Sequence, residues 1–365
     1  MCSGERGSNV NKRRKVMVDK DYCCSSYLAL RTIEKDNVNF FEGLDHKNAT
    51  ITPLADRIQV GSAEEIDAEL QKVFDTLQGK KLGIMLSGGM DSAILAAYMP
   101  GSDAYTFRFL GGEFQRPELE RAEYYAKVYD MKLHYVDISW EVVEKYLPIC
   151  FEANQAPVHS IVPQIYKAAM MSKEDGCEKL VLGECADNRF GGLDRAVSKD
   201  WTFDEFVEFY TFLDPKMALV NPVDMTYVFE PYRRDGSMID YNLFMQTVFA
   251  RESETSYVNI FTKADVQWVY PYENLAVRGG LDIERIRRGD TKYLLRDLFR
   301  LKYPGYPVPD KNPMPRPVDV YFKDWAGPAR PEFRKDIPIE KLSGNQKWQL
   351  WCLETFLNTY DPACR

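Results

Sequence analysis

One stretch of the chain, residues 81–99, constrains the fold more than any other. It reads KLGIMLSGGMDSAILAAYM, which places an apolar run, a glycine turn and a helix-favouring run in that order. A short apolar run of this kind is typical of a strand that a parallel sheet buries on both faces. The chain then turns at Gly88 and Gly89, and we expect Asp91 or Ser92 to cap the helix that follows.

The turn between this strand and this helix has the chemistry of an anion site. Glycines let backbone N–H groups approach a ligand closely, and a helix N-terminus adds partial positive charge. Asp91 has the opposite sign, so beside a phosphate it needs a cation, most simply Mg²⁺. A plain surface turn is the alternative, but the whole string S-G-G-x-D-S, set between a buried strand and a helix, favours a nucleotide site.

Strands and helices alternate through the following part of the chain. Further strands are predicted at residues 104–109, 133–138 and 179–182, with helices between them. This alternation predicts an α/β fold, an open parallel sheet with helices on both faces, whose ligand lies at the carboxyl ends of the strands. From Trp201 onward the pattern becomes helical and aromatic, which predicts a helical C-terminal part.

A second acidic loop follows the strand predicted at residues 179–182. It reads GECADNRFGG, residues 183–192, and alone it is only weakly informative because Gly and Asp are ordinary turn residues. Because both loops follow strands of one parallel sheet, we expect Asp91 and Asp187 to share one Mg²⁺ on the phosphates.

The N-terminal part of the chain shows a weaker pattern. Strands are predicted at residues 22–33 and 38–43, and Ser62 is the predicted N-cap of the first clear helix. We therefore divide the chain into a disordered tail at residues 1–20, a small segment of short strands at residues 21–61, and a main domain at residues 62–365.

Composition and charge disfavour several classes of function. The chain has 365 residues and a formal net charge of −8, which weighs against non-specific binding to nucleic acid or to a membrane surface. No apolar run is long enough to cross a bilayer, and the eight cysteines form neither C-x-x-C nor a zinc spacing. We expect a cytoplasmic protein with reduced thiols, no nucleic-acid partner and no membrane partner. The basic run KRRK, residues 12–15, is interpreted as part of a solvated tail, and the alternative is a nuclear localisation signal.

The two loops together resemble those of the N-type ATP pyrophosphatases. These enzymes have an adenine nucleotide alpha hydrolase-like (PP-loop) fold, and they cleave ATP between the α and β phosphates. Within that group, residues 63–360 resemble the synthetase domain of asparagine synthetases and their relatives that close β-lactam rings. The family's first loop is S-G-G-x-D-S, and its second is approximately G-E-G-A/S-D-E-x-F-G-G. The family's K-x-x-L-R helix start is found here at Lys292, Leu295 and Arg296.

The resemblance implies ATP and Mg²⁺ as cofactors and a role for each matching residue. Asp91 and Asp187 would bind the metal, Glu184 would accept a proton from the attacking amine, and Lys311 would stabilise charge as AMP or pyrophosphate departs. For Glu184 the alternative is a structural carboxylate, and for Lys311 an ordinary surface lysine. The residues implied in ATP binding are Leu86, Ser87, Gly88, Gly89, Asp91, Ser92, Phe109, Gly183 and Lys292.

Three departures from the family pattern lie in the second loop. Cys185 replaces a glycine, so we expect the backbone there to lose the family's φ. Asn188 replaces an acid, and Arg189 adds a positive charge that we expect beside the metal. These changes suggest a different substrate or a weakened metal site.

The family's function, carried to this chain, predicts an AMP-forming amide ligase. It would adenylate a small-molecule carboxylic acid and transfer the acyl group to ammonia or to an amine. Asparagine synthetases also have a glutaminase domain that uses a cysteine at position 2, but the segment before the synthetase-like domain is too short to form one. Cys2 is therefore interpreted as coincidental, and ammonia would come free or from a separate glutaminase subunit.

Two other functions remain open at this stage. One is another N-type ATP pyrophosphatase, a tRNA-modifying or sulfur-transferring enzyme, which the acidic charge and the missing C-x-x-C pair disfavour. The other is a non-catalytic nucleotide-binding subunit, which the changes at Asn188 and Arg189 keep open.

Overall fold

The centre of the protein is a sheet of five parallel strands. The structure is a computed structural model, and it describes residues 17–110, 115–310 and 316–361. Across the sheet the strands lie in the order β6-β5-β4-β7-β8, and every neighbouring pair is parallel. The strands of the described residues are β1 Met17–Val18, β2 Val38–Asn39, β3 Ile58–Val60, β4 Leu82–Met85, β5 Asp103–Phe109, β6 Lys132–Ile138, β7 Lys179–Val181, β8 Trp268–Val269 and β9 Leu275–Val277.

Helices account for about half of the chain, and several of them cover this sheet. Short 3-10 turns also occur, and a π-helical segment, Met245–Phe249, joins two α-helices. The α-helices of the described residues are α1 Lys20–Leu30, α2 Ala63–Asp75, α3 Met90–Ala96, α4 Arg116–Val128, α5 Trp140–Asn154, α6 Val162–Glu174, α7 Ala186–Phe190, α8 Asp194–Val197, α9 Phe203–Tyr210, α10 Pro215–Ala218, α11 Tyr241–Phe244, α12 Ala250–Ala264, α13 Ile283–Arg287, α14 Tyr293–Lys302, α15 Val318–Tyr321 and α16 Gly344–Tyr360.

The helices around the sheet form two groups, one for each face. Helices α2, α3 and α4 pack with α14, whereas α5, α6 and α12 pack with one another. This arrangement follows from right-handed crossovers: the chain moves from β4 to β5 to β6 in one direction and then returns to β7 and β8 in the other. The predicted α/β fold with helices on both faces is confirmed. Strand order reverses between β4 and β7, so the loops after these strands diverge and leave a crevice at their carboxyl ends.

The sequence located four of the five central strands to within one residue at either end. It did not find β8, because a strand of two residues is too short to show periodicity. Ser62 is the N-cap of α2, as predicted, and its hydroxyl accepts a hydrogen bond from Glu65 N.

The strand predicted at residues 22–33 was wrong. Those residues form α1, which Asp19 caps by accepting a hydrogen bond from Tyr22 N. Every residue of α1 from Tyr22 to Leu30 is buried, so no polar face marks the helical period, and the apolar run was mistaken for a strand. The predicted disordered tail also extended too far, because Met17–Val18 pairs with Val38–Asn39; residues 1–16 lie outside the described residues.

Helix α1 is built into the main body of the protein. The Tyr27 hydroxyl donates to Val158 O at 2.9 Å, and Gln349 Nε2 from α16 donates to Tyr27 O at 2.6 Å. The helix ends at Arg31, whose left-handed backbone (φ 62°) terminates the helical hydrogen bonding. Residues 20–31 therefore share one core with the domain that follows them.

Among the helices that the structure describes, none combines the length and the apolar composition that a membrane crossing requires.

Tyr27 tests this shared core. We expect Tyr27→Ala to lower the free energy of unfolding by about 3–5 kcal/mol, because it removes a completely buried ring. Tyr27→Phe, which removes only the hydroxyl, should cost about 1 kcal/mol. Val320→Ala, at a side chain that is 72% exposed, serves as the control in urea denaturation. A loss from Tyr27→Ala as small as the control's would show that α1 contributes little to the core.

Candidate active site

The first predicted loop connects β4 to α3 and folds back on itself. The Ser92 hydroxyl accepts a hydrogen bond from Ser87 N at 3.0 Å and lies 3.2 Å from the Ser87 hydroxyl. Gly89 is the N-cap of α3, so the predicted cap at Asp91 or Ser92 was wrong by two or three residues. Ser92 instead lies in the first turn, where its side chain closes the loop.

Gly88 is required by packing against α4. A Cβ at this position would lie 2.5 Å from the backbone oxygen of Glu118, well inside van der Waals contact. Arg121 Nε, also on α4, donates to Gly88 O at 2.8 Å. Helix α4 therefore holds the loop from one side, and only a glycine fits between them.

The second predicted loop follows β7 and leads into α7. Cys185 adopts a left-handed backbone conformation, with φ 71°, at the N-cap of this helix. The expectation that a cysteine would change the glycine-type φ was therefore wrong. Its thiol lies 3.4 Å from Glu254 Oε1, and the side chain is buried. A non-glycine residue at positive φ is strained, and this one lies directly beside Glu184, the residue expected to accept a proton from the attacking amine.

Arg189 is also placed differently from the prediction. Its guanidinium is buried, lies 3.5 Å from Glu254 and donates to Glu273 O at 3.2 Å. Its positive charge is thus directed at Glu254 beneath the loop. The neighbouring Asn188 is buried as well.

The two loops meet at the ammonium group of Lys292. Lys292 Nζ lies 2.5 Å from Asp91 Oδ2 and 2.5 Å from Asp187 Oδ1. The lysine is only 5% exposed and occupies the N-cap of α14 with a left-handed backbone (φ 51°). Burial alone would lower the pKa of Lys292, but the carboxylates of Asp187 and Asp91 raise it above its ordinary value. The lysine is therefore charged and links three elements, α3, α7 and α14.

The Asp91–Asp187 pair suits Mg²⁺. Both carboxylates reach one point in space, as their shared contact with Lys292 Nζ shows. Mg²⁺ sites in nucleotide enzymes use one or two carboxylates together with phosphate oxygens. The donor set present here fits that requirement.

Glu184 lies beside this pair. It accepts a hydrogen bond from Ser253 at 2.7 Å and another from Tyr257. Burial raises the pKa of Glu184 above its ordinary value, the hydrogen bond from Ser253 opposes this, and the charge of Asp187 adds to it. A carboxylate with a raised pKa at the wall of a cleft is a candidate acid or base.

These residues line one cleft at the carboxyl ends of β4 and β7. Most of the predicted site residues are brought together there; these are Leu86, Ser87, Gly89, Asp91, Ser92, Gly183, Glu184 and Asp187. Within the described residues Phe109 is not part of the cleft lining; it is buried, and its N–H donates to Gln115 Oε1 at 2.7 Å. Lys311 lies outside the described residues, although Asp310, directly before it, lines the cleft.

Sequence reasoning missed several lining residues. They come from β5, from α4 and its N-cap residue, and from α12, where no motif distinguishes them from ordinary core or surface positions. These residues are Tyr105, Thr106, Phe107, Gln115, Glu118, Arg121 and Tyr257.

Comparison with known proteins gives a family match over this site. A profile of the asparagine synthase family matches residues 70–271, more than half of the chain. A Methanocaldococcus jannaschii protein that carries the name of a glutamine-hydrolyzing asparagine synthetase is 28% identical over 169 residues. That match covers 45% of this chain and 30% of the relative, so the chain spans about a third of the relative's length.

Solved structures resemble the chain more distantly. A U34-tRNA thiolase from Methanococcus maripaludis has 15% identity and a TM-score of 0.27, with 64% of this chain and 79% of that chain covered. An NMN synthetase from Francisella tularensis has 13% identity and a TM-score of 0.26, with 66% and 92% covered. Because both TM-scores are this low, we draw no conclusion about this chain from the two structures.

Mutation of Lys292 tests how much its contacts with Asp91 and Asp187 stabilise the two loops. Lys292→Met keeps the alkyl chain but leaves two carboxylates without their shared cation, so we expect the free energy of unfolding to fall by about 3–5 kcal/mol at neutral pH. Because the pKa of Lys292 is raised in the folded state, the stabilisation is fully present at neutral pH and is lost only as the pH rises through that folded-state value.

Two further variants complete this test. Adding Asp187→Asn to Lys292→Met removes one of the two carboxylates and should recover part of the loss. Lys199→Met, at an exposed lysine paired with Glu205, is the matched control. An equal loss for Lys292→Met and Lys199→Met would contradict a central role for the buried ammonium.

Proposed function

Because the chain belongs to the asparagine synthase family, we propose that it is an ATP-dependent ligase that forms an amide from a small carboxylic acid. The observation that carries this proposal is the convergence of Asp91, Asp187 and Glu184 on one cleft at the carboxyl ends of β4 and β7. In such a cleft, a metal held by the two aspartates and a base would act on the same substrate, as two successive steps require.

The reaction would have two steps. A carboxylate is a poor acylating agent, so a carboxylate oxygen first attacks the α-phosphorus of ATP, and the bond to the β-phosphate oxygen breaks with release of pyrophosphate. The nitrogen of ammonia or an amine then attacks the acyl carbon, the bond to the phosphate oxygen breaks, and AMP departs. The proton lost by the nitrogen passes to Glu184.

The first loop would hold the triphosphate. The backbone of Ser87–Gly89 and the Ser92 hydroxyl would contact the phosphates, and Leu86 and Gly183, which line the cleft, are proposed to contact the adenosine, whereas the buried Phe109 would act only from behind the cleft wall. Asp91 and Asp187 would hold Mg²⁺, which neutralises phosphate charge when bound. Lys292 would orient both carboxylates, and its ammonium group would contact the nucleotide between them. Lys311 keeps its proposed role in stabilising the departing groups.

The nitrogen donor is proposed to be supplied from solution or by another protein. Free ammonia, an amine on a second substrate, and ammonia from a separate glutaminase subunit all satisfy the chemistry.

The adenylation step is tested by exchange of radiolabelled pyrophosphate into ATP with Mg²⁺ and a panel of acids. We expect exchange that depends on one class of acid and falls by at least about 1,000-fold in Asp91→Ala, because the metal pair is broken. Asp336→Ala, at an exposed aspartate paired with Arg334, should leave the exchange unchanged. ATP binding without exchange for any acid would overturn the proposal and favour a non-catalytic subunit.

Glu184 is tested by separating the two steps. We expect Glu184→Gln to keep pyrophosphate exchange and to slow acyl transfer to ammonia by at least about 100-fold. Because the base acts as a carboxylate and its pKa is raised, the wild-type rate of acyl transfer should increase with pH until Glu184 is deprotonated. The increase of the acyl-transfer rate with pH should be absent in Glu184→Gln. Equal losses of exchange and transfer would instead indicate a structural role.

A further inference from the structure

Helix α12 contacts the second loop with one acidic residue, Glu254. Its carboxylate oxygen Oε1 accepts a hydrogen bond from the Cys185 thiol at 3.4 Å and lies 3.5 Å from Arg189 Nη2. Cys185 directly follows Glu184 in the chain, and Asp187 lies between Cys185 and Arg189. One carboxylate of α12 therefore contacts the loop on both sides of Asp187 and immediately beside Glu184.

The Glu254–Arg189 pair is buried. The side chain of Glu254 is 3% exposed and that of Arg189 is 0% exposed. Burial raises the pKa of Glu254 to about 7, and the positive charge of Arg189 opposes this rise. A buried charge without its partner is strongly destabilising, so each of the two groups depends on the other.

A second buried guanidinium increases this dependence. Arg57 lies near Arg189, and burial together with the charge of Arg189 lowers the pKa of Arg57 to about 10. Arg57 Nη1 donates to the neutral side chain of Gln246 at 2.6 Å. Within the described residues, Glu254 is the only carboxylate in ion-pair distance of either guanidinium, and Glu273 acts on Arg57 from farther away. The loop can therefore bury Arg189 only because α12 supplies Glu254.

Cys185 also needs a restraint from outside the loop. Its φ of 71° is a conformation that a residue with a Cβ adopts only when its surroundings impose it. The hydrogen bond from its thiol to Glu254 is one such restraint. Cys185 and Arg189 are two of the three positions at which this loop departs from the family pattern, and both contact the same carboxylate. The two departures are thus coupled through Glu254.

The same helix contacts Glu184 directly. Ser253, the residue before Glu254, donates its hydroxyl hydrogen to Glu184 Oε1 at 2.7 Å. Neighbouring residues of α12 therefore contact Glu184 and its successor Cys185. A displacement of the loop from α12 would break both contacts together.

We propose that Glu254 is a positioning residue. By binding the Cys185 thiol and the Arg189 guanidinium, it keeps the second loop in the conformation that presents Glu184 and Asp187 to the cleft. The changes at Cys185 and Arg189 then preserve the site, because Glu254 compensates for both. This inference rests on the proposed function for the roles of Glu184 and Asp187.

Three measurements on Glu254→Gln test this role: pyrophosphate exchange, acyl transfer to ammonia, and hydrogen–deuterium exchange of the backbone amides of residues 183–192. We expect acyl transfer to slow by about 100-fold and pyrophosphate exchange by about 10-fold, because Glu184 and Asp187 are displaced but still present. Deuterium uptake over residues 183–192 should become about 10-fold faster, because the loop opens more often.

Glu332→Gln is the matched control. Glu332 is also a largely buried acid, and it pairs at 2.8 Å with the buried Arg330. It lines a different cavity, together with Lys20 and Leu219. We expect this variant to lower stability but to leave both rates of the folded enzyme, and deuterium uptake over residues 183–192, unchanged.

A second set of variants covers the case in which Glu254→Gln does not fold. Arg189→Met leaves no unpaired cation, since Glu254 becomes neutral without its partner, and it should slow acyl transfer to a similar extent. Adding Glu254→Gln to Arg189→Met should then change little. Cys185→Gly removes the strained side chain, so in either background it should recover at least about 10-fold of the lost acyl transfer.

The outcomes separate this inference from the proposed function. Rates and deuterium uptake like those of Glu332→Gln, in Glu254→Gln or in Arg189→Met, overturn the positioning role. Slower acyl transfer with unchanged deuterium uptake over residues 183–192 also overturns it. A wild-type enzyme that exchanges pyrophosphate with no acid overturns the ligase proposal instead, and faster deuterium uptake in Glu254→Gln then still supports the positioning of the loop by Glu254.

Discussion

The site depends on one buried ammonium group held between two carboxylates. Lys292 Nζ contacts Asp91 from the loop after β4 and Asp187 from the loop after β7, at 2.5 Å each. Without that cation, two negative groups in a partly buried cleft would repel each other and the loops would separate. The pair keeps one net negative charge, so it can still attract a divalent cation. The lysine thus positions the carboxylates without fully neutralising them.

The sheet explains why these three groups meet. Strand order reverses between β4 and β7, so the chain leaves the two strands in opposite directions and opens a crevice at their carboxyl ends. Helix α4 fixes the first loop through the close approach of Glu118 to Gly88, and α14 packs against α3 and presents Lys292 at its start. Behind the crevice, a second cavity is lined by Arg31, which caps the end of α1, by Tyr257 of α12 and by Arg316.

The sequence predicted the parts of this arrangement that are local. Both loops follow apolar strands and carry short motifs, so the convergence of Asp91 and Asp187 could be anticipated from the parallel sheet alone. Two features could not. Helix α1 is buried on all sides and lacks a helical period, and the cavity at Arg316 joins residues that are hundreds of positions apart, such as Arg31 and Arg316. The left-handed Cys185 is a third case, since the surrounding loop imposes a φ that residue type alone argues against.

The most direct test of the central claim is the position at which ATP is cleaved. Phosphorus NMR of the products, formed with Mg²⁺, ammonia and an acid that supports exchange, distinguishes the two possibilities. Adenylation of the acid should give AMP and pyrophosphate in equal amounts, with one amide formed for each ATP consumed. ADP and inorganic phosphate would contradict it, because the two loops would then direct attack at a different phosphate.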